Sequence, residues 1–225
     1  MENQYTRLEY LFQKDLEKIK NSKVCVVGLG GVGGIALEAL VRSGVSEITI
    51  CDFDNVNVSN INRQVIANYN TIGMKKVDAS IALIKSINPN AIIHAYDKKI
   101  DENNLEFFNN GFDYLIDAID DINAKILIIK ECLKRNITFI SSMGTAKKLD
   151  PTRFKVVDIK KTNYDPIAKI LRKRFREEEI IGKIMVVYSD EEPLAIDKLG
   201  SYMPVVSSAG LLSSDYIIKE ILRRE

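Results

Sequence analysis

A chain of 225 residues, 46% hydrophobic and 28% charged, is long enough for one large domain with its own core. Its 32 Lys and Arg against 31 Asp and Glu leave a formal charge of +1, so the chain as a whole advertises neither a nucleic-acid nor an acidic-protein partner, and only local patches can make that case. The charged start "MENQYTRLEYLFQKDLEKIKNS" holds no apolar core of signal-peptide length, and no later run reaches the roughly 18 apolar residues of a membrane span; a cytoplasmic protein with no membrane span is expected.

In chain order, short apolar strand-like runs alternate with segments of helical period: "KVCVVGLG" (23–30), "GVGGIALEALVRSG" (31–44), "SEITICD" (46–52), "MKKVDASIALIKSIN" (74–88), "AIIHAY" (91–96), "DENNLEFFNN" (101–110), "FDYLIDAID" (112–120), "INAKILIIKECLKRN" (122–136) and "ITFISS" (137–142). Strands this uniformly apolar are covered on both faces, which predicts an α/β fold with a doubly wound, mainly parallel, Rossmann-like sheet. From about 143 the pattern breaks into polar loops, a basic helix near 165–179, one strand (183–189) and a final amphipathic helix from Ser208. We read one domain over 1–225, with a nucleotide-binding core in 1–142 and a C-terminal extension of substrate-facing loops and helices in 143–225.

The first chemical signal is "VCVVGLGGVGG". It places Gly28, Gly30 and Gly33 in GxGxxG register after an apolar strand and at the start of a helix, where glycines allow a tight turn and exposed N–H groups bind phosphate. Asp52, at the end of the second strand, stands where an acid would hydrogen-bond a ribose hydroxyl. These features do not separate NAD from ATP, since both present a phosphate and an adenosine ribose.

The stretch "NVSNINRQ" makes that separation. Asn60 and Arg63 in the loop leaving the ribose site suit a triphosphate, because Arg is always charged and binds phosphate oxygens bidentately. Lys76, at the start of the next helix, adds a point charge. Asp120, in "DAIDD" at the carboxyl edge of the sheet, is most naturally a magnesium ligand facing phosphates. Each charge taken singly fits a solvated loop; four at successive strand ends point to ATP with Mg2+. The three cysteines, Cys25, Cys51 and Cys132, lie apart in apolar surroundings and form no CxxC pair, which favours buried thiols over disulfides or a zinc site. His94, inside an apolar strand, receives no role.

"GLGGVGG", "DFDNVNVSNINRQ", "GMKKVDA" and "DAIDD" together resemble the adenylyltransferase fold of ubiquitin-activating-type enzymes and their bacterial molybdopterin- and thiamine-pathway relatives, over nearly the whole chain. The resemblance implies that the glycine loop, Gly31 with its neighbours, and Asp52 hold ATP, that Asn60, Arg63 and Lys76 contact the phosphates, and that Asp120 handles magnesium. It also implies a homodimer in which an N-terminal arginine, Arg7 here, reaches the partner's ATP, giving composite sites. Two CxxC pairs and a catalytic cysteine, marks of protein-activating branches, are missing. The region from "ISSMGTAKKLDPTRFKVVD" to the last helix instead resembles the tRNA threonylcarbamoyladenosine dehydratases, which use ATP to cyclise a threonylcarbamoyl group on an adenosine next to the tRNA anticodon. The resemblance leaves room for a sulfur-relay partner.

The chemistry agrees with that branch. Adenylation turns a poor electrophile, a carboxylate, into one with AMP as leaving group, and the urea nitrogen of the same threonylcarbamoyl group can then close the ring without a protein nucleophile. Residues 147–176 hold eleven Lys and Arg against three acids, a phosphate-backbone footprint in which Lys169, Arg172, Lys173 and Arg174 are the candidate tRNA contacts. Tyr164 is either a stacking partner for an unpaired base or a turn-packing tyrosine. Three other readings stay open at this point: an adenylyltransferase acting on the C-terminus of a small ubiquitin-like sulfur carrier, an NAD-dependent oxidoreductase, and a catalytically silent scaffold.

Overall fold

In a computed structural model, which describes residues 2–224, the chain forms seven strands in one sheet, flanked by helices. The strands are β1 (Lys23–Val27), β2 (Glu47–Cys51), β3 (Ile92–Tyr96), β4 (Tyr114–Asp117), β5 (Thr138–Ser142), β6 (Phe154–Asp158) and β7 (Met185–Ser189). Their order is β3-β2-β1-β4-β5-β7-β6, all neighbours being parallel except the β6–β7 pair. The longer helices are α3 (Gly31–Arg42), α4 (Lys76–Ile87), α5 (Ile122–Arg135), α6 (Pro166–Glu177) and α7 (Met203–Arg223), preceded by the short α1 (Thr6–Phe12) and α2 (Leu16–Lys20).

Side chains of successive strand residues point to opposite faces, and β1 shows both faces filled. Val24 and Val26 join a core with α3 residues Ala36, Leu37 and Leu40 and α7 residues Val205, Ala209 and Ile217. Cys25 and Val27 join a second core with Ile128 and Ile129 of α5 and Leu171 and Phe175 of α6. The doubly wound parallel sheet expected from the apolar strands is therefore present.

Three local expectations change. The run 101–110 forms no α-helix: the Asp101 carboxylate accepts the Asn103 N–H at 2.8 Å and binds the Asn104 amide, which turns the chain, and only a 3-10 turn follows at Glu106–Asn110. The polar region after 143 contains a strand, β6, that pairs antiparallel with β7 at the sheet edge; only Phe154 of its five residues is fully buried, so its apolar alternation is weak. The last helix begins at Met203, five residues before Ser208, with Pro204 in its first turn, where a missing N–H costs nothing. No helix of the described residues is long and apolar enough to cross a membrane.

Candidate active site

From β1 the chain turns to α3 on one face of the sheet, and from the adjacent β4 it turns to α5 on the other. Connections that diverge from neighbouring strands open a crevice at their carboxyl ends. Here it is a cleft of about 730 Å³, and Gly28, Gly30, Gly31, Asp52, Asn60, Arg63, Lys76 and Asp120 all line it. Gly33 does not. A Cβ at Gly33 would stand 1.7 Å from the Gly28 carbonyl oxygen, so this glycine closes the loop on the helix instead of facing a ligand.

Gly28 has φ +86°, and a Cβ there would lie 2.8 Å from the Ala118 backbone, so no side chain fits between the loops that leave β1 and β4. No side chain caps α3, whose first turn faces the cleft through Gly31 and Val32 and leaves that helix start open to an anion. The buried Asp52 spans the site floor: Oδ2 accepts the Leu29 N–H at 2.6 Å and Oδ1 accepts the Asp54 N–H at 2.8 Å. Burial raises its pKa above the ordinary carboxylate value, and the nearby Lys76 charge opposes that rise.

Lys76 is the first residue of α4, where the helix dipole disfavours a cation. It is nevertheless buried, with Nζ 2.6 Å from Asp54 Oδ2 and 3.8 Å from Asp52 Oδ2. A 3-10 turn, Val58–Asn60, shapes the neighbouring wall; the Asn60 side-chain oxygen accepts the Asn57 N–H at 2.9 Å, which leaves its amide group to the cleft. Arg63 uses only Nη1 within the fold, donating to Ser59 O and Asn62 Oδ1 at 2.9 Å each. Nε and Nη2 make no hydrogen bond among the described residues, which suits bidentate contact with a phosphate. Gln64, next in sequence, is buried in the same wall, and its Oε1 has no partner among the described residues. Gln64 ends the stretch "NVSNINRQ" but carries no charge to mark it as a site residue.

The far wall comes from the β4–α5 loop. Asp117, the last residue of β4, is fully buried and meets Lys125 of α5 at 3.0 Å, while Ser141 of β5 donates to the same carboxylate oxygen at 2.6 Å. Asp121 caps α5 by accepting the Ala124 N–H at 2.9 Å. Between these two fixed carboxylates Asp120 is exposed to the cleft and makes no hydrogen bond or ion pair among the described residues.

The glycine loop, the acid after β2, Arg63, Lys76 and the unpaired Asp120 thus line one cleft at the carboxyl edge of the sheet. The ThiF family model matches residues 1–222. The chain belongs to the ThiF family. It is 43% identical to the tRNA threonylcarbamoyladenosine dehydratase of Bacillus subtilis, over 99% of this chain and 96% of that protein. The tRNA threonylcarbamoyladenosine dehydratase of Haemophilus influenzae is 34% identical, over 85% of this chain and 72% of its own length. Among solved structures, the Escherichia coli tRNA N6-threonylcarbamoyladenosine dehydratase in complex with ATP superposes with a TM-score of 0.93 at 31% identity, covering 97% of this chain and 93% of that one.

The remaining residues of this ThiF-family chain divide sharply. Of the eleven basic side chains in 147–176, six are engaged by partners within the chain. Lys147 donates to Ile196 O, Lys148 to Ser189 O at 2.9 Å, and Arg153 and Lys155 both hold Asp190. Arg172 donates to Thr162 O at 3.1 Å, and Arg174 bonds Glu178 at 2.6 Å and Asn123 at 3.2 Å. Arg172 and Arg174 are thus structural ties, while Lys169 and Lys173 remain exposed. Arg7 is exposed on α1 and does not line the cleft. His94 lies on the edge strand β3, 3.5 Å from Glu47. All three cysteines are buried and unpaired, and burial pushes the Cys51 thiol, at the cleft edge, up to about 12.

Proposed function

We propose that this chain is an ATP-dependent tRNA threonylcarbamoyladenosine dehydratase that works through an acyl-adenylate. The observation that carries the reading is the convergence of Asp52, Asn60, Arg63, Lys76 and Asp120 on one cleft beside an uncapped helix start. The likeness over almost full length to proteins of that name supports the substrate. ATP fits the donors present: the glycine loop lets a ligand approach without side chains, Asp52 would hold the ribose, and the free Nε and Nη2 of Arg63 with Lys76 would bind the phosphates. The unpartnered Gln64 Oε1 is a further acceptor for a ligand N–H or O–H.

Mg2+ fits a site with one open carboxylate, since this ion is commonly held by one or two carboxylates plus substrate phosphates, and Asp120 is the residue that would hold it. Such an ion would neutralise charge on the leaving pyrophosphate. The threonyl carboxylate attacks the α-phosphorus of ATP, pyrophosphate departs, and Arg63 and Lys76 stabilise the charge that builds on it. The urea group of the same threonylcarbamoyl unit then attacks the activated carbonyl and expels AMP, so that the nucleoside loses one water overall. High effective molarity replaces a protein nucleophile, and the buried state of Cys25, Cys51 and Cys132 agrees with this.

A homodimer with Arg7 reaching the partner's ATP is part of the proposal. Its support is α1, which has no buried residue and presents Tyr10 and Leu11 to solvent beside Arg7. A cytoplasmic location suits a tRNA substrate, and a sulfur-relay partner rests on the family resemblance alone. The deciding experiment is mass analysis of nucleosides after incubating threonylcarbamoyl-modified tRNA with protein and ATP. Loss of one water from the modified nucleoside, dependent on ATP, is expected; its absence with a folded protein would refute the assignment.

A further inference from the structure

Lys160, Lys161, Lys169 and Arg176 are exposed and make no side-chain hydrogen bond or ion pair among the described residues, and Lys173 meets only the exposed Glu177, at 3.6 Å. On α6, Lys169, Lys173 and Arg176 follow i, i+4, i+7 spacing and form one stripe, opposite the buried Ala168, Leu171 and Phe175. Lys160 and Lys161 lie on the preceding 3-10 turn, and Arg172 fastens that turn to the helix through Thr162 O. Five exposed cations thus lie on α6 and the turn that precedes it.

One contact joins this surface to the cleft, and an exposed aromatic residue stands beside it. Asp165 caps α6 by accepting the Ala168 N–H at 2.9 Å through Oδ1, and its Oδ2 accepts the N–H of cleft-lining Gly144 at 3.1 Å. Tyr164, immediately before that cap, is a non-glycine residue at φ +53° with 64% of its surface exposed. Its hydroxyl makes no hydrogen bond among the described residues. A left-handed tyrosine with its ring in solvent gains little from packing, so the core gives no reason for a tyrosine at this position.

We propose that the outer stripe of α6, with Lys160 and Lys161, holds the backbone of single-stranded RNA in the anticodon arm, and that Tyr164 is the platform on which an unpaired base stacks as the chain enters the cleft. The inference rests on the dehydratase reading and names the surface that the reading lacks. Arg172 and Asp165 act as positioning residues: one orients the two-lysine turn, the other aligns the helix start with the Gly144 loop. Aromatic stacking tolerates any base, and lysines bind backbone without reading sequence, so this surface supplies affinity and register.

The test uses the full chain and tRNA carrying threonylcarbamoyladenosine, with binding followed by fluorescence anisotropy across salt concentrations. Replacing Lys169, Lys173 and Arg176 together by Gln should weaken binding by about tenfold or more and make the log–log salt slope shallower by about 2, as three phosphate contacts on a single strand require. Tyr164→Gly should weaken tRNA binding by about tenfold, while the melting temperature holds or rises because glycine adopts positive φ freely. Tyr164→Phe should bind as wild type. ATP protection in thermal shift should be unchanged in every variant. A Tyr164→Gly protein that melts lower yet binds tRNA normally would overturn the platform, and an unchanged salt slope in the triple variant would overturn the stripe. Failure of the wild type to dehydrate the nucleoside would instead overturn the dehydratase reading, so the two failures are distinguishable.

Discussion

Lys125 Nζ lies 3.0 Å from Asp117 Oδ2, and neither side chain has any exposed surface. The pair sits under the β4–α5 loop, and Ser141 supplies a second hydrogen bond to the same carboxylate oxygen. Breaking a buried pair leaves one charge without compensation, which costs about 3–5 kcal/mol, whereas replacing both partners by apolar groups is often neutral. Lys125→Met is therefore expected to lower unfolding free energy by about that range in urea denaturation. The double variant with Asp117→Leu should lose less than Lys125→Met alone.

The glycine loop gives a sharper structural expectation. Because a Cβ at position 33 would stand 1.7 Å from Gly28 O, Gly33→Ala must push α3 away from the end of β1. Overpacking of this kind typically costs about 1–3 kcal/mol, and here it also displaces the anion-facing first turn. Both a lower melting temperature and loss of ATP-induced thermal protection are expected, while Gly30→Ala, whose Cβ would approach nothing closer than the Gln64 amide nitrogen at 3.7 Å, should leave the melting temperature nearly intact.

What could be read from the chain in advance followed from local pattern. The glycine loop, Asp52 and Asp120 could be read because they follow the ends of β1, β2 and β4, which the fold gathers on one edge, and Arg63 and Lys76 because they lie in the segment that leaves β2 and enters α4. The Asp117–Lys125–Ser141 network could not be read that way, since its members come from β4, α5 and β5 and only the sheet register brings them together. The division of the basic segment was also hidden. Arg172 and Lys173 are adjacent and chemically alike, yet helix geometry turns one onto the Thr162 carbonyl and the other to solvent. Strand β6 was missed because an edge strand has one buried end and polar company.

Asp52 predicts a pH signature. Burial raises its pKa in the folded state above that of the unfolded chain, so between those two values the native protein binds more protons than the unfolded one. The Asp52 contribution to stability is accordingly greatest below the ordinary carboxylate value and declines as pH rises through the elevated one. Asp52→Asn should remove that decline, so the difference in unfolding free energy between wild type and variant should shift in favour of the variant as pH rises across this window. ATP binding by the wild type should strengthen over the same window, because the ionised carboxylate is the better acceptor for a ribose hydroxyl.

Arg63 and Asp120 separate function from folding. Arg63 holds the local turn with Nη1 alone, and Asp120 has no partner among the described residues, so neither side chain supports the core. Arg63→Ala removes the donor proposed to stabilise charge on departing pyrophosphate, a type of loss worth about 10²–10³ in kcat. Asp120→Asn keeps shape and volume while removing the charge proposed to hold magnesium. Both proteins should melt within about 1 °C of wild type, as surface changes away from packed features usually do. Both should fall at least a hundredfold in nucleoside dehydration, and raising Mg2+ should restore part of the rate only in Asp120→Asn. That asymmetry distinguishes a metal ligand from a phosphate contact: a variant with weakened metal affinity responds to added ion, whereas the missing guanidinium of Arg63→Ala has no substitute in solution. Wild-type turnover in either variant would remove that residue from the site.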